Sequence, residues 1–315
     1  MQKKLSAAFM KVSAGSFYMG SSKSDKLAAP NEFVQHQPEL EDFYIAKYPI
    51  TNQDYLLFVE STDYESPNHW ANSDINLPEL ANHPVVHVSH QDALAYCEWR
   101  SESGPFTYRL PDEYEWEKAA RGSVTDNLYI WGNKWELGRC NSEESGINGT
   151  TAVEKFEKKQ GNMYEVVDLI GNVWEWTDSW YEAYPKSEYR SSHYGQKQKV
   201  VRGGSFRNNY TACRISTRGR YRPGEKRPYV GFRIVKLPLD INLSHLRREL
   251  DRRFGLIELK GIAYDIGIDY ENLPQKKEEF ILELISTAKR RDLIMQILEL
   301  AHKQRPNVNW YQKGE

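Results

Sequence analysis

Near Leu237-Pro238 the pattern of this chain changes, and that change limits what it can fold into. Before it, helix signals are few, and Gly, Pro, Asn and Trp punctuate short segments. Beyond it, apolar residues recur at almost purely helical spacing. One uniform bundle and one uniform sheet are both excluded. The expectation is an α+β domain over residues 1–237, followed by an all-α domain over 238–315 with its core at about 243–303.

Three helices are expected in the first part. One follows Thr51 as N-cap and carries Tyr55, Phe58 and Val59. A second follows Ser89 and carries Ala93, Leu94, Cys97 and Glu98. A third opens at Pro111-Asp112-Glu113 and continues through Trp116, Ala119 and Ala120. The remainder reads as short strands, including Val200-Val201-Arg202 and Gly231 to Val235, joined by long loops. Loops of such length in a compact domain are functional or heavily cross-braced. Aromatic residues make up 13% of the chain, with nine Trp and twenty Tyr. That is ample for a core, with Tyr and Trp to spare for a concave surface.

The second part divides into four amphipathic stripes. Leu243, Leu246 and Leu250 form the first, closed by Phe254-Gly255. Leu259, Ile262, Ala263 and Ile266 form the second, closed by Gly267. After the polar turn Asp269 to Pro274 come Phe280, Ile281, Leu284, Ile285 and Ala288. Leu293, Ile294, Ile297, Leu298 and Ala301 complete the set, and Pro306 stops it. Stripes of this width pack as a small bundle.

A net charge of −2 argues against nucleic acid or an anionic membrane as the partner of the whole molecule. Three cysteines, Cys97, Cys140 and Cys213, are too few and too scattered for a disulfide framework, which favours a reducing compartment. The first ten residues lack the apolar run of a signal peptide, and no window is long and apolar enough for a membrane span. A cytoplasmic protein is expected. The eight histidines are scattered singles without metal spacing.

A series of motifs runs through the first part: Val12-Ser13-Ala14-Gly15-Ser16-Phe17-Tyr18-Met19-Gly20, Pro49-Ile50-Thr51-Asn52, His83-Pro84-Val85-Val86 and Arg109-Leu110-Pro111. They continue with Glu115-Trp116-Glu117-Lys118-Ala119-Ala120-Arg121-Gly122, Trp131-Gly132 and Gly171-Asn172-Val173-Trp174-Glu175-Trp176-Thr177. Arg202-Gly203-Gly204-Ser205-Phe206 and Gly231-Phe232-Arg233 close the series. In this order they resemble the formylglycine-generating enzyme (sulfatase-modifying factor) family. The resemblance implies a C-type-lectin-like fold. Trp116, Trp131, Trp174 and Trp176 are expected as core packing, and the glycines at 171, 203 and 204 as tight turns.

The family's oxidases carry two cysteines just after the Gly-Gly-Ser-aromatic motif, because Cu(I) prefers paired soft thiolates. Here Asn208 stands at the first position and Cys213 at the second. The resemblance is therefore to the non-oxidase branch, and no copper is expected; an oxidase with an altered metal site is the alternative. Cys97 and Cys140 read as buried fillers. By resemblance, Asp168, Gly171, Val173 and Glu175 match a structural calcium loop, oxygen donors of the kind calcium takes. The other reading is that Asp168 and Glu175 cap turns and pair with arginines. In lectin-like folds loops build the ligand surface. Here Arg207, Asn208, Asn209, Tyr210, Arg214, Arg218, Tyr221, Arg222 and Tyr229 are the ligand-binding candidates, with an acidic ligand favoured. The same segment suits a receptor diversified by a retroelement, a further alternative.

The tail resembles a bacterial effector-associated domain, a small death-like bundle, through Leu246-Arg247-Arg248, Arg253-Phe254 and the run from Tyr264 to Pro274. That resemblance implies an adaptor joined to a protein bearing a similar domain, such as a protease or NTPase effector. Lys276, Lys277, Arg290 and Arg291, in charged runs with Glu278, Glu279 and Asp292, are the expected partner-binding residues. A helical cap that only steadies the first domain is the other reading.

Overall fold

Three helices of the first part start by the same device. In the computed structural model the described residues are 8–72, 76–102, 106–123, 126–237, 242–291, 293–308 and 310. Thr51 Oγ1 accepts from the Asp54 N–H at 3.2 Å, and the Asp54 carboxylate accepts from Thr51. Ser89 and Asp92 exchange the same pair of bonds at 3.1 and 2.8 Å, and Asp112 and Glu115 exchange them at 2.7 and 2.9 Å. Each is a capping box, an oxygen at the cap and a carboxylate three residues on, which satisfies amides the helix cannot.

The first compact unit is Met1–Pro238. Its elements run β1 (Phe9–Val12), β2 (Gly15–Ser16), β3 (Glu39–Leu40), β4 (Phe43–Ala46), α1 (Asn52–Thr62), α2 (His90–Glu102) and β5 (Tyr108–Arg109). They continue as α3 (Glu113–Arg121), the short α4 (Glu157–Gln160), β6 (Trp174–Trp180), β7 (Lys199–Arg202), β8 (Arg218–Tyr221), β9 (Val230–Phe232) and β10 (Val235–Lys236). One sheet has the order β1-β4-β10-β5 and another the order β8-β7-β6-β9, in which β6 and β9 run parallel. The pairing β2-β3 stands apart.

Trp116, Trp174 and Trp176 are buried, as their motifs suggest. Trp131 is only half-buried: it stacks on Tyr129 at 5.4 Å and donates to the Lys134 carbonyl. Leu94 is 38% exposed, because Ala93, Tyr96 and Cys97 form the inward face of α2. The helix α4 carries too few apolar residues to announce itself in sequence.

The helix α3 is the centre of this unit. Eight of its nine residues are buried, among them Glu113, Glu115 and Glu117. Glu115 meets Arg109 through two contacts of 2.6 Å, and Glu113 meets Arg218 at 2.6 and 2.8 Å. Glu117 is shared by Arg121, Arg202 and the Gly20 N–H. Burial acts to raise the Glu117 carboxyl, yet Arg121 and Arg202 override it and hold it below the ordinary glutamate value. Its stabilisation is thus present at neutral pH and is lost in acid as the carboxyl protonates.

The second unit is Leu239–Glu315. It contains α5 (Leu243–Arg253), α6 (Leu256–Asp265), α7 (Lys277–Arg290) and α8 (Ile294–Gln304). Asn242 caps α5 by accepting from the His245 N–H at 2.9 Å. The four expected stripes meet in one core. Pro238, where the pattern changes, and Asp292 lie outside the described residues. The core extends past its expected end at about residue 303: Trp310 is fully buried, 5.6 Å from the Phe254 ring, and donates to the Arg305 carbonyl at 3.1 Å. A bundle of this size has little stability to spare. Trp310→Ala is expected to destabilise this unit by about 3–5 kcal/mol. Urea denaturation followed by helical circular dichroism checks this.

Candidate functional site

Strand β7 ends in a turn that only glycine permits. Gly203 and Gly204 have φ of +100° and +74°, and a Cβ on Gly204 would lie 2.8 Å from Cys213 Sγ. The turn folds Ser205 to Asn208 back over Cys213. Asn208 Oδ1 accepts from Ser205 Oγ at 2.7 Å and from Trp174 Nε1 at 2.8 Å. Cys213 is fully buried, with Sγ 3.6 Å from the Asn208 carbonyl. Burial, with the Glu144 charge adding to it, pushes the Cys213 thiol up to about 12. A thiol in that state is a poor nucleophile at neutral pH. Cys97 and Cys140 are likewise free and buried.

Around this turn lie the exposed Arg207, Asn209, Tyr210 and Arg222 and the half-buried Tyr221 and Tyr229. The Arg207 guanidinium sits 5.8 Å from the Phe206 ring centre and 5.4 Å from that of Tyr229. Tyr229 OH is 3.5 Å from Tyr221 OH. Tyr210 is 40% exposed, and its N–H donates to Glu144. Asn209 accepts from the Thr211 N–H and hydroxyl. The exposed Arg222 donates its backbone N–H to Glu225. A basic and aromatic patch results.

Arg214 and Arg218 do not belong to it. Both are buried: Arg214 binds Asp25 at 2.8 Å and Glu32 at 2.7 and 2.8 Å. Arg218 binds Glu113 and the carbonyls of Asn31 and Glu182, and lies 4.1 Å from the Tyr184 ring centre. Both guanidiniums are buried and held by carboxylates within the unit, so neither is presented to a ligand.

Two histidines join the patch that the sequence did not single out. The His69 and His87 rings are 4.4 Å apart, and the His87 N–H donates to the Arg227 carbonyl, anchoring the loop that leads to Tyr229. Burial lowers the His87 pKa and the Arg207 charge lowers it further, while burial beside His87 brings His69 down to about 4. Both are neutral imidazoles at physiological pH. Their positions, eighteen residues apart and far from Arg207 in sequence, left no local signal.

Of the four calcium-loop residues, the two carboxylates already have partners. Glu175 is fully buried, and its two oxygens accept from Arg233 at 2.6 and 2.7 Å, one of them also from Trp116 Nε1 at 2.6 Å. Asp168 accepts from Asn172 at 2.8 Å, and burial raises its carboxyl to about 8. Gly171 and Val173 contribute only backbone. Glu175 is thus paired with an arginine, whereas the bonds of Asp168 run to Asn172 and Gln160. The donor set does not fit a hard divalent ion while Arg233 neutralises Glu175. Among the described residues no group of three or more His, Cys, Asp or Glu gathers for a metal.

Residues 1–238 match the sulfatase-modifying factor enzyme 1-like domain. The chain belongs to the sulfatase-modifying factor family. Residues 246–306 match effector-associated domain 7. The formylglycine-generating enzyme of Mus musculus is 28% identical, over 70% of this chain and 73% of that enzyme. The mouse protein named inactive C-alpha-formylglycine-generating enzyme 2 is 30% identical, over 72% of this chain and 84% of its own. PvdO from Pseudomonas aeruginosa has the same fold, with a TM-score of 0.60 at 22% identity, covering 76% of this chain and all of PvdO.

In the effector-associated domain of this family member, the four expected partner-binding cations separate. Lys277 bridges to the Asp251 carbonyl and carboxylate, tying α7 to α5. Arg291 donates to the Gly267 carbonyl at 3.1 Å, fastening the end of α7 to the loop after α6. These two brace the bundle. Lys276, at the N-cap of α7, and Arg290, near its end, are exposed; the first pairs with Glu279 and the second bonds Glu283, Ser286 and Thr287, and such exposed pairs hold them weakly. No described helix is long and apolar enough to cross a membrane.

The contrast between buried and exposed arginines is measurable. Arg218→Ala removes the two-bond guanidinium partner of the buried Glu113 and is expected to cost about 3–5 kcal/mol. Arg207→Ala is expected to change stability by no more than about 0.5 kcal/mol. Thermal denaturation of the two variants beside the parent protein checks both.

Proposed function

We propose that this protein is a non-catalytic recognition module joined to an adaptor bundle in a bacterial defence or signalling assembly. The observation that carries this reading is that an amide, Asn208, stands beside the buried Cys213 where a second thiolate would be needed. Oxidase chemistry of the kind the resemblance implies needs two thiolates around a soft metal. Here one place is taken by an amide whose oxygen already serves Trp174 and Ser205, and the other by a thiol that burial keeps neutral. The relative named as inactive is in line with this. The function proposed runs through no metal.

What the turn presents instead is a surface of Arg207, Asn209, Tyr210, Tyr221, Arg222 and Tyr229. Arginine beside tyrosine suits a partner that brings carboxylates next to apolar groups, such as an acidic peptide segment. The match to effector-associated domain 7 supports contact between proteins at the other end of the chain. The partner there is a protein bearing a similar bundle, met by the exposed cations Lys276 and Arg290.

The reading has two arms in one test. Incubated with Cu(I), oxygen and a sulfatase-type cysteine peptide, the protein is expected to yield no aldehyde by mass spectrometry. Aldehyde that disappears in Cys213→Ala would overturn the non-catalytic half. Proteins with effector-associated domains encoded beside its gene are expected to bind the full chain. Lys276→Glu with Arg290→Glu is expected to abolish that binding with helicity unchanged. Binding untouched by both changes would remove the adaptor surface.

A further inference from the structure

Two features of the helical unit have no use within it. The first is a stripe on α6. Ile257, Gly261 and Tyr264 recur at helical spacing opposite the buried Leu259, Ile262 and Ala263. Ile257 is 86% and Tyr264 73% exposed, although each is a large apolar or aromatic side chain. A Cβ on Gly261 would meet nothing within 4 Å, so the stripe has an open notch at its middle. Asp265 flanks it, exposed and without an ion pair among the described residues.

The second feature is a recess of about 330 Å³ between α5 and α7, lined by Ser244, Arg247, Arg248, Asp251, Glu278 and Ile281. Its apolar member, Ile281, belongs to the bundle core. Lys277 neutralises Asp251 at 3.1 Å. Arg247 and Arg248 are exposed and without ion pairs among the described residues, so two guanidiniums outweigh Glu278 there. The recess is basic and wide enough for a phenol ring. The stripe offers a phenol ring with a carboxylate beside it.

We propose that the helical unit binds a second copy of this chain head to tail, with Tyr264 of one copy seated in the Arg247–Arg248 recess of the next. The ring gains cation–π contact with the guanidiniums, and Asp265 supplies them with a charge-assisted acceptor. Stripe and recess are different patches of one chain, so the contact is heterologous. Each added copy leaves one stripe and one recess open, and assembly proceeds to a ring or a chain of copies. The proposal rests on reading the second unit as an interaction module, but not on what its first unit recognises or which effector it recruits.

Light scattering coupled to gel filtration of the full chain over a concentration series tests this. The mass is expected to rise above the monomer with concentration. Ile257→Ser with Tyr264→Lys removes the stripe, and Arg247→Glu with Arg248→Glu reverses the recess. Each is expected to weaken association by roughly tenfold or more while leaving the circular dichroism spectrum unchanged. Tyr264→Phe, which keeps the ring, retains association. Mixing the stripe variant with the recess variant is expected to restore a 1:1 pair, since each supplies the patch the other lacks. A parent protein that stays monomeric, an oligomer indifferent to both variants, or variants that mixing does not rescue would each overturn the proposal. A monomeric parent that still binds an effector-associated partner through Lys276 and Arg290 would sink self-association and leave the adaptor reading standing.

Discussion

The first unit depends on one set of interactions, the pairing of carboxylates on α3 with arginines that arrive from distant strands. Glu113 and Glu117 are buried, and a buried carboxylate without a partner costs several kcal/mol. Arg202 at the end of β7 and Arg218 at the start of β8 supply those partners, and Arg202 also holds the carbonyls of Ser216 and Thr217. A parallel link runs from Trp116 through Glu175 to Arg233, whose guanidinium also donates to the carbonyls of Ala46 and Val167. Strand order and helix position are thus mutually specified. More than half of this unit is loop, and these ion pairs do much of the bracing that regular structure does elsewhere.

The same bracing sets the candidate surface. Arg202 is followed directly by the Gly203-Gly204 turn, so the strand end that α3 fixes also fixes where Asn208 and Arg207 emerge. Arg214 and Arg218 hold the two ends of the next connection against Asp25, Glu32 and Glu113. Between Arg202 and Arg214 the side chains of Arg207, Asn209 and Tyr210 reach the surface, while Ile215 and Ser216, between Arg214 and Arg218, are buried. A recognition loop held at both ends by buried salt bridges can change its exposed side chains without disturbing its base.

What could be read from the sequence follows how local each signal is. Capping boxes span three residues, and the Thr51, Ser89 and Asp112 helices all begin where their caps stand. The four stripes of the tail are local periodicities and appear as four helices. By contrast, Glu113 and Arg218 are 105 residues apart, and composition cannot tell a paired arginine from a ligand-seeking one. That is why Arg214 and Arg218 stand among the ligand candidates, and why Lys277 and Arg291 looked available. Trp310 lies beyond a proline and outside any stripe, and only the fold brings it back onto Phe254. His69 and His87 are joined to Arg207 by folding alone.

Asn208 shows why the missing thiolate is not a simple vacancy in an otherwise intact oxidase site. Its amide oxygen staples the turn to Trp174 on β6 and to Ser205. A cysteine there would leave the Trp174 N–H without its acceptor, since sulfur is a weak one. The partner thiol, Cys213, would still lie against Gly204 and the Asn208 carbonyl in a site where burial opposes its ionisation. Two departures from the oxidase pattern therefore reinforce each other. The amide closes the turn over the sulfur, and the closed turn keeps the sulfur neutral, so the position has become part of the scaffold under the exposed patch.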